Sequence, residues 1–282
     1  MKPMSWSALA LLPLMLPPGT AAPHWGPATQ EAAPKPADPQ DAAFAEEFDK
    51  LVESFEKAQE AFFAKVRDLY AAVDKEGLSA DEKQKAQEAA EAIWSEAPNG
   101  TFLPQFEELA KKAKGRPAAL KSWLKVIELS QGPMAQAKVE QAVNVLLADH
   151  IESEELAALG GLISHWSSTP EFHAKVMNTL REKSKHAKVK AAATLSLAKG
   201  LEKSDAAKAK ALYQELMTTY ASLEAGWGGL YGAVAERALF ELEHLQIGMV
   251  APDFESVDET GAKFKVSDYR GKVVVLDFWG YW

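Results

Sequence analysis

The chain has 282 residues, 47% apolar and 25% charged, with a formal net charge of −9 and no cysteine. That is enough for one large or two ordinary domains of normal globular composition, and within these residues it excludes disulfides, thiol catalysis and cysteine-held metals. The acidic balance, with lysines scattered among glutamates and aspartates, leaves no electrostatic footprint for a nucleic-acid partner.

Residues 1–22 read as an export signal. Lys2 supplies positive charge, Trp6 to Leu16 is mostly apolar, Pro17, Pro18 and Gly19 break the run, and Thr20, Ala21 and Ala22 suit a signal peptidase. The run is shorter than the about 20 apolar residues of a membrane span. An uncleaved anchor or an unstructured start is the other reading. No second run of spanning length follows, so the mature protein is expected to be exported and soluble, in the periplasm or another extracytoplasmic space. Residues 23–40 carry Pro23, Pro27, Pro34, Pro36 and Pro39 and read as an extended linker.

From Asp41 the pattern is helical. Phe44, Phe48, Leu51, Phe55, Ala58, Phe62, Val66, Leu69 and Val73 fall at steps of three and four, one stripe along a long helix that Gly77 stops. Ser79 and Glu82 form a capping box for a second helix ending near Trp94. Breaks at Gly115 to Pro117, Gln131 to Pro133, Gly160 and Gly161, Thr169 and Pro170, and Gly200 then separate helices of roughly 12 to 17 residues. Thr169 fits an N-cap with Pro170 at the first helical position. Residues 41–245 are expected to form an irregular helical-hairpin or repeat domain of about ten helices packed as antiparallel pairs. Ala207 to Tyr220 is similar to one tetratricopeptide-type helix, but no clean repeat recurs. Such arrays present a concave face to a protein partner; a compact spacer is the other reading.

At Ile247 the pattern changes. Phe254 to Val257 and Lys263 to Val266 read as short strands around a turn at Asp258 to Gly261. Ser267 to Gly271 is a polar turn. Lys272 to Phe278 is a continuous apolar run, the pattern of a strand buried on both faces of a central sheet.

Gly248 with Ala251-Pro252-Asp253-Phe254, then Ser267-Asp268-Tyr269-Arg270-Gly271-Lys272, then Val274 to Phe278, then Trp279 and Trp282, stand in one order. In that order and spacing, residues 246–282 resemble the opening of a thioredoxin-like α/β domain. The type is the TlpA/ResA disulfide reductases, redoxins of the alkyl hydroperoxide reductase/thiol-specific antioxidant superfamily. The resemblance implies a thiol-disulfide oxidoreductase acting on protein disulfides and dithiols, without cofactor or metal. Phe278, Trp279, Tyr281 and Trp282 would flank the active site, with the tryptophans as apolar walls. The nucleophile would follow Trp282 directly, at the head of a helix whose dipole lowers its pKa, in a Cys-x-x-Cys or selenocysteine-x-x-Cys motif. The chain is therefore expected to be truncated before its catalytic residues and inactive alone. A UGA codon for selenocysteine after Trp282 is one explanation; a contig end, a frameshift, a pseudogene or deliberate trimming is the other. The Trp-Gly-Tyr-Trp lead favours disulfide exchange over a peroxiredoxin-like peroxidase. A helical interaction module with a non-functional redoxin remnant is the alternative from another class.

Other constellations carry less. His24, His150, His165, His173, His186 and His244 show no tight ligand spacing, and His165 and His173 read as surface histidines. The pairs Glu46-Glu47, Glu107-Glu108 and Glu154-Glu155 read as acids on helix starts or polar faces. Gly226 to Gly232 follows a helix and lacks a Lys-Ser/Thr end, so it reads as a flexible loop and not a phosphate cradle.

Overall fold

A computed structural model describes residues 38–130, 135–163, 168–226 and 229–277. The expected signal, most of the proline-rich linker, His165, and Phe278, Trp279, Tyr281 and Trp282 lie outside the described residues.

Helix α1 runs Pro39–Val73, two residues ahead of the expected start, because the Asp38 carboxylate accepts from the Gln40 amide and Pro39 suits the first turn. At 1.5 Å per residue its 35 residues are about 52 Å long. The stripe faces inward as the spacing predicts: Phe55 and Phe62 are buried, and the other seven positions are half-buried.

Helices α2 (Ala80–Ala92), α3 (Asn99–Lys112), α4 (Pro117–Leu129) and α5 (Gln136–Asp149) follow. Next come the short α6 (Leu159–Leu162), α7 (Pro170–Lys183), α8 (Ala187–Leu201), α9 (Ala206–Thr219) and α10 (Tyr231–His244). Local chemistry fixes several starts. Ser79 and Glu82 form both halves of the capping box. Thr169 accepts from the Phe172 amide at 3.1 Å, with Pro170 following it. Asp205 caps α9 through the Lys208 amide.

One end of α1 packs on α3 and α4, where Phe55 meets Phe102 and Phe106 with ring centroids 5.4 and 6.4 Å apart. The other end meets α2 and the turn after it, where Phe62 contacts Trp94 at 5.5 Å. The main core joins α1, α3 to α5 and α6 to α8 around Phe106, Trp123, Val143, Leu146, Leu159 and Met177. A second core holds α8, α9 and α10 around Tyr213, Leu216, Tyr231 and Ala235, and Leu212 packs against both. Arg116 at the start of α4 holds the start of α1, donating to Asp38 at 2.8 Å, Asp41 at 2.6 Å and Gln40 at 2.5 Å.

Among the described residues, hydrogen bonds close the chain on either side of the glycine-rich stretch after α9. Ala225 donates to the Gly229 carbonyl at 2.7 Å, and Glu224 bridges Leu230. Gly232 lies inside α10, where a Cβ would stand 3.0 Å from that of Ala221.

The C-terminal part corrects one expectation. Strand β1 (Glu255–Val257) pairs antiparallel with β2 (Lys263–Lys265), matching Glu255 to Lys265, Ser256 to Phe264 and Val257 to Lys263. Within the run Lys272 to Phe278, read as a strand buried on both faces, Val273 to Asp277 is neither a strand nor buried. Val273 is 95% and Val275 84% exposed. A central strand needs neighbours on both edges to satisfy its amides and on both faces to cover its side chains. Among the described residues the sheet stops at two strands, so the run has neither.

Candidate functional site

The hairpin after α10 positions the segment that leads toward Phe278. Its turn is built by Asp258, whose Oδ1 accepts from the amides of Thr260 and Ala262 at 2.8 and 3.0 Å. Gly261 completes it at φ +84°, the left-handed region that favours glycine. These contacts hold the Asp258 carboxyl below its ordinary value, the Thr260 hydroxyl contributing most.

Two sequence motifs meet across this hairpin. The Asp253 carboxylate accepts from the Ser267 amide at 2.8 Å and from its hydroxyl at 2.7 Å. The Val266 amide donates to the Phe254 carbonyl at 3.3 Å beside them. Ala-Pro-Asp-Phe and Ser-Asp-Tyr-Arg-Gly-Lys are thus one contact, 14 residues apart in sequence. The Ser267 hydroxyl and amide lower the Asp253 pKa, with smaller help from Lys265 and Arg270. Asp268 closes the same corner by accepting from the Lys265 amide at 2.8 Å. The Phe264 and Tyr269 rings meet edge to face at 6.2 Å.

Gly271, at φ +82°, then turns the chain, and Lys272 donates to the Tyr269 carbonyl at 3.0 Å. The segment therefore arrives at Val273 in a defined direction. None of these groups is a nucleophile or general base aimed at a pocket. What they do chemically is hold a turn and present the apolar run that follows. Both motifs were visible in sequence; the bond between Asp253 and Ser267 was not, although a short acid and a serine at turn positions are its ordinary ingredients.

The remaining candidates lie elsewhere. His173 on α7 is not a plain surface histidine: it is half-buried, pairs with Ser196 of α8 at 2.8 Å, and burial lowers its pKa. His150 after α5 is also half-buried, with Nε2 enclosed and unpartnered, and burial lowers its pKa against the pull of Asp149 and Glu155. His186 pairs with the Glu152 carbonyl at 2.9 Å, and His244 lies against Phe240. The carboxylate pairs serve as helix chemistry. Glu107 is held by Lys111 at 2.6 Å and Lys138 at 2.5 Å, and Glu46 by Lys50 at 2.6 Å.

No family model matches the chain, and no solved structure matches it. Curated relatives match over a short stretch, three of them as follows. The chain is 53% identical over 36 residues to thiol-disulfide oxidoreductase ResA of Geobacillus kaustophilus, covering 13% of this chain and 21% of that protein. The ResA of Geobacillus thermodenitrificans is 50% identical over 36 residues, with the same coverage. That of Bacillus thuringiensis subsp. konkukian is 45% identical over 40 residues, 14% of this chain and 23% of that protein. The chain thus spans about a fifth of the length of the relatives it matches. These matches support a thioredoxin-like, thiol-disulfide oxidoreductase relationship for a small part of the chain.

Proposed function

We propose that the protein is an exported thiol-disulfide oxidoreductase, in which residues 246–282 open a thioredoxin-like domain carried behind the helical region. The observation that carries this reading is the agreement of two kinds of fact at one place. The motifs from Gly248 to Lys272 stand in family order, and the structure joins them through Asp253 and Ser267. Thiol-disulfide oxidoreductases match this chain over 36 to 40 residues. The relatives' names favour disulfide exchange over peroxide reduction.

The exposed run Val273 to Leu276 supports the same reading. Its exposed apolar side chains suit the middle of a sheet, and a thioredoxin-like domain supplies the flanking strands. The redox group would be a cysteine or selenocysteine directly after Trp282, at a helix N-terminus. Its anion attacks one sulfur of a protein disulfide, the other sulfur leaves as a thiolate, and a second cysteine releases the substrate dithiol by closing the enzyme's own bond. The 282 residues by themselves would not reduce a disulfide, since they contain no cysteine.

The test has two steps. The coding sequence is read through the codon after Trp282 and beyond, and the in-frame product is assayed for reduction of insulin disulfides with dithiothreitol as the electron source. The expected result is a cysteine or UGA codon followed by x-x-Cys, turnover above the 282-residue chain, and loss of that turnover when the nucleophile is replaced by serine. A stop with no downstream redoxin sequence, or a completed domain without turnover, would overturn the proposal.

A further inference from the structure

A cleft of about 830 Å³ opens in the helical region between α7 and α9. Both helices pack on α8, which supplies Ser196, Leu197 and Gly200 to the cleft between them. The absence of a side chain at Gly200, where a Cβ would stand 3.6 Å from His173, leaves the surface recessed there. One end is tied by Arg181 of α7, which donates to Glu215 of α9 at 2.6 Å and to Thr194 of α8 at 3.0 Å. A largely apolar cleft of this size with a few convergent polar groups has the form of a ligand site.

The described residues lining the cleft include Arg181, Lys199 and Lys208 and no carboxylate, in a chain of net −9. Arg181 answers Glu215, and Lys208 answers Asp205 at 2.8 Å. Lys199 is exposed and makes no ion pair among the described residues. An anionic group is therefore the complement the cleft lacks.

The length and spacing of the polar groups distinguish the occupant. From Pro170 to Arg181 the lining face of α7 rises about 16 Å, the span of about five residues of extended chain. Thr169, Asn178, Ser196 and Ser204 are distributed around the cleft and not gathered at one end. A hydrocarbon tail would cover the exposed Asn178 amide and Ser204 hydroxyl with methylene groups that cannot hydrogen-bond them. A peptide backbone supplies amides and carbonyls along its length. We propose that this cleft binds an extended peptide segment with apolar side chains and a carboxylate, through an apolar surface over α8 and the cationic edge at Lys199. The site does not depend on the redox reading, and its readout is binding alone.

The full 282-residue chain is titrated into a fluorescein-labelled hexapeptide of alternating leucine and alanine, ending in aspartate with a free carboxyl terminus, and anisotropy is followed. Two exposed positions serve as variants that leave the core untouched: Lys199→Glu reverses the free charge, and Ala211→Trp fills the cleft. The expected result is saturable binding. Lys199→Glu and Ala211→Trp should each weaken it by about fivefold or more, as should 0.5 M salt or the amidated peptide ending in asparagine. No saturable change in anisotropy, or unaltered binding by both variants, would overturn the proposal. Tight binding of laurate with no binding of the peptide would overturn it in favour of a fatty-acid site.

Discussion

Residues 39–244 and residues 247–277 place their apolar side chains differently. In the helical region Phe106, Leu146, Leu156 and Leu159 have essentially no exposed surface; in the C-terminal segment Val273 and Val275 are almost wholly exposed. The difference follows from backbone hydrogen bonding. A helix closes its bonds within itself, so each hairpin of α3 to α10 needs only a neighbour a few residues away. A central strand closes its bonds on other strands and is incomplete until they are present. The same apolar content therefore gives a finished body in one region and an open edge in the other.

The largest contrast is in core truncation. Phe106→Ala should destabilise the protein by about 3–5 kcal/mol in urea denaturation, whereas Val275→Ala should change it by less than about 0.5 kcal/mol. A comparable loss at Val275 would mean that the C-terminal run is packed after all. A smaller effect is expected at the caps: Thr169→Ala should cost about 1 kcal/mol through the lost bond to Phe172.

Acid should act on the helical region first. Burial holds the His150 and His173 pKa below the ordinary 6.5. The unfolded chain then takes up these protons before the folded one, so their contribution is complete above 6.5 and is lost as pH falls below it. The lysines around Glu107 hold its carboxyl below the ordinary 4.5, so its contribution is lost in a second fall below that value. His173→Gln should reduce the first fall in the urea midpoint and leave the second. The smallest effect is expected at the hairpin. Asp253→Ala should shift the amide resonances of Val266 and Ser267 and leave the urea midpoint unchanged.

Much of this was legible in sequence where the cause is local. The stripe from Phe44 to Val73, the Ser79–Glu82 box, the Thr169 cap and the turn at Asp258 to Gly261 each depend on residues within a turn or two of one another. The tertiary bonds were not legible. Arg116 reaches Asp38 across 78 positions, Arg181 reaches Glu215 across 34, and His173 reaches Ser196 across 23. Such pairs exist only once helices cross. In the candidate segment the order of motifs from Gly248 to Lys272 was readable. The run after Lys272 was misjudged because an apolar sequence states a demand for burial and not the presence of neighbours.

Hydrogen exchange along the full chain tests this contrast most directly. The amides of α4, α5 and α8 should exchange only through global unfolding, and those of Val273 to Asp277 at nearly the rate of an unstructured peptide. Protection of Val273 to Asp277 equal to that of α8 would contradict the account, because it would show the run paired and covered within the chain.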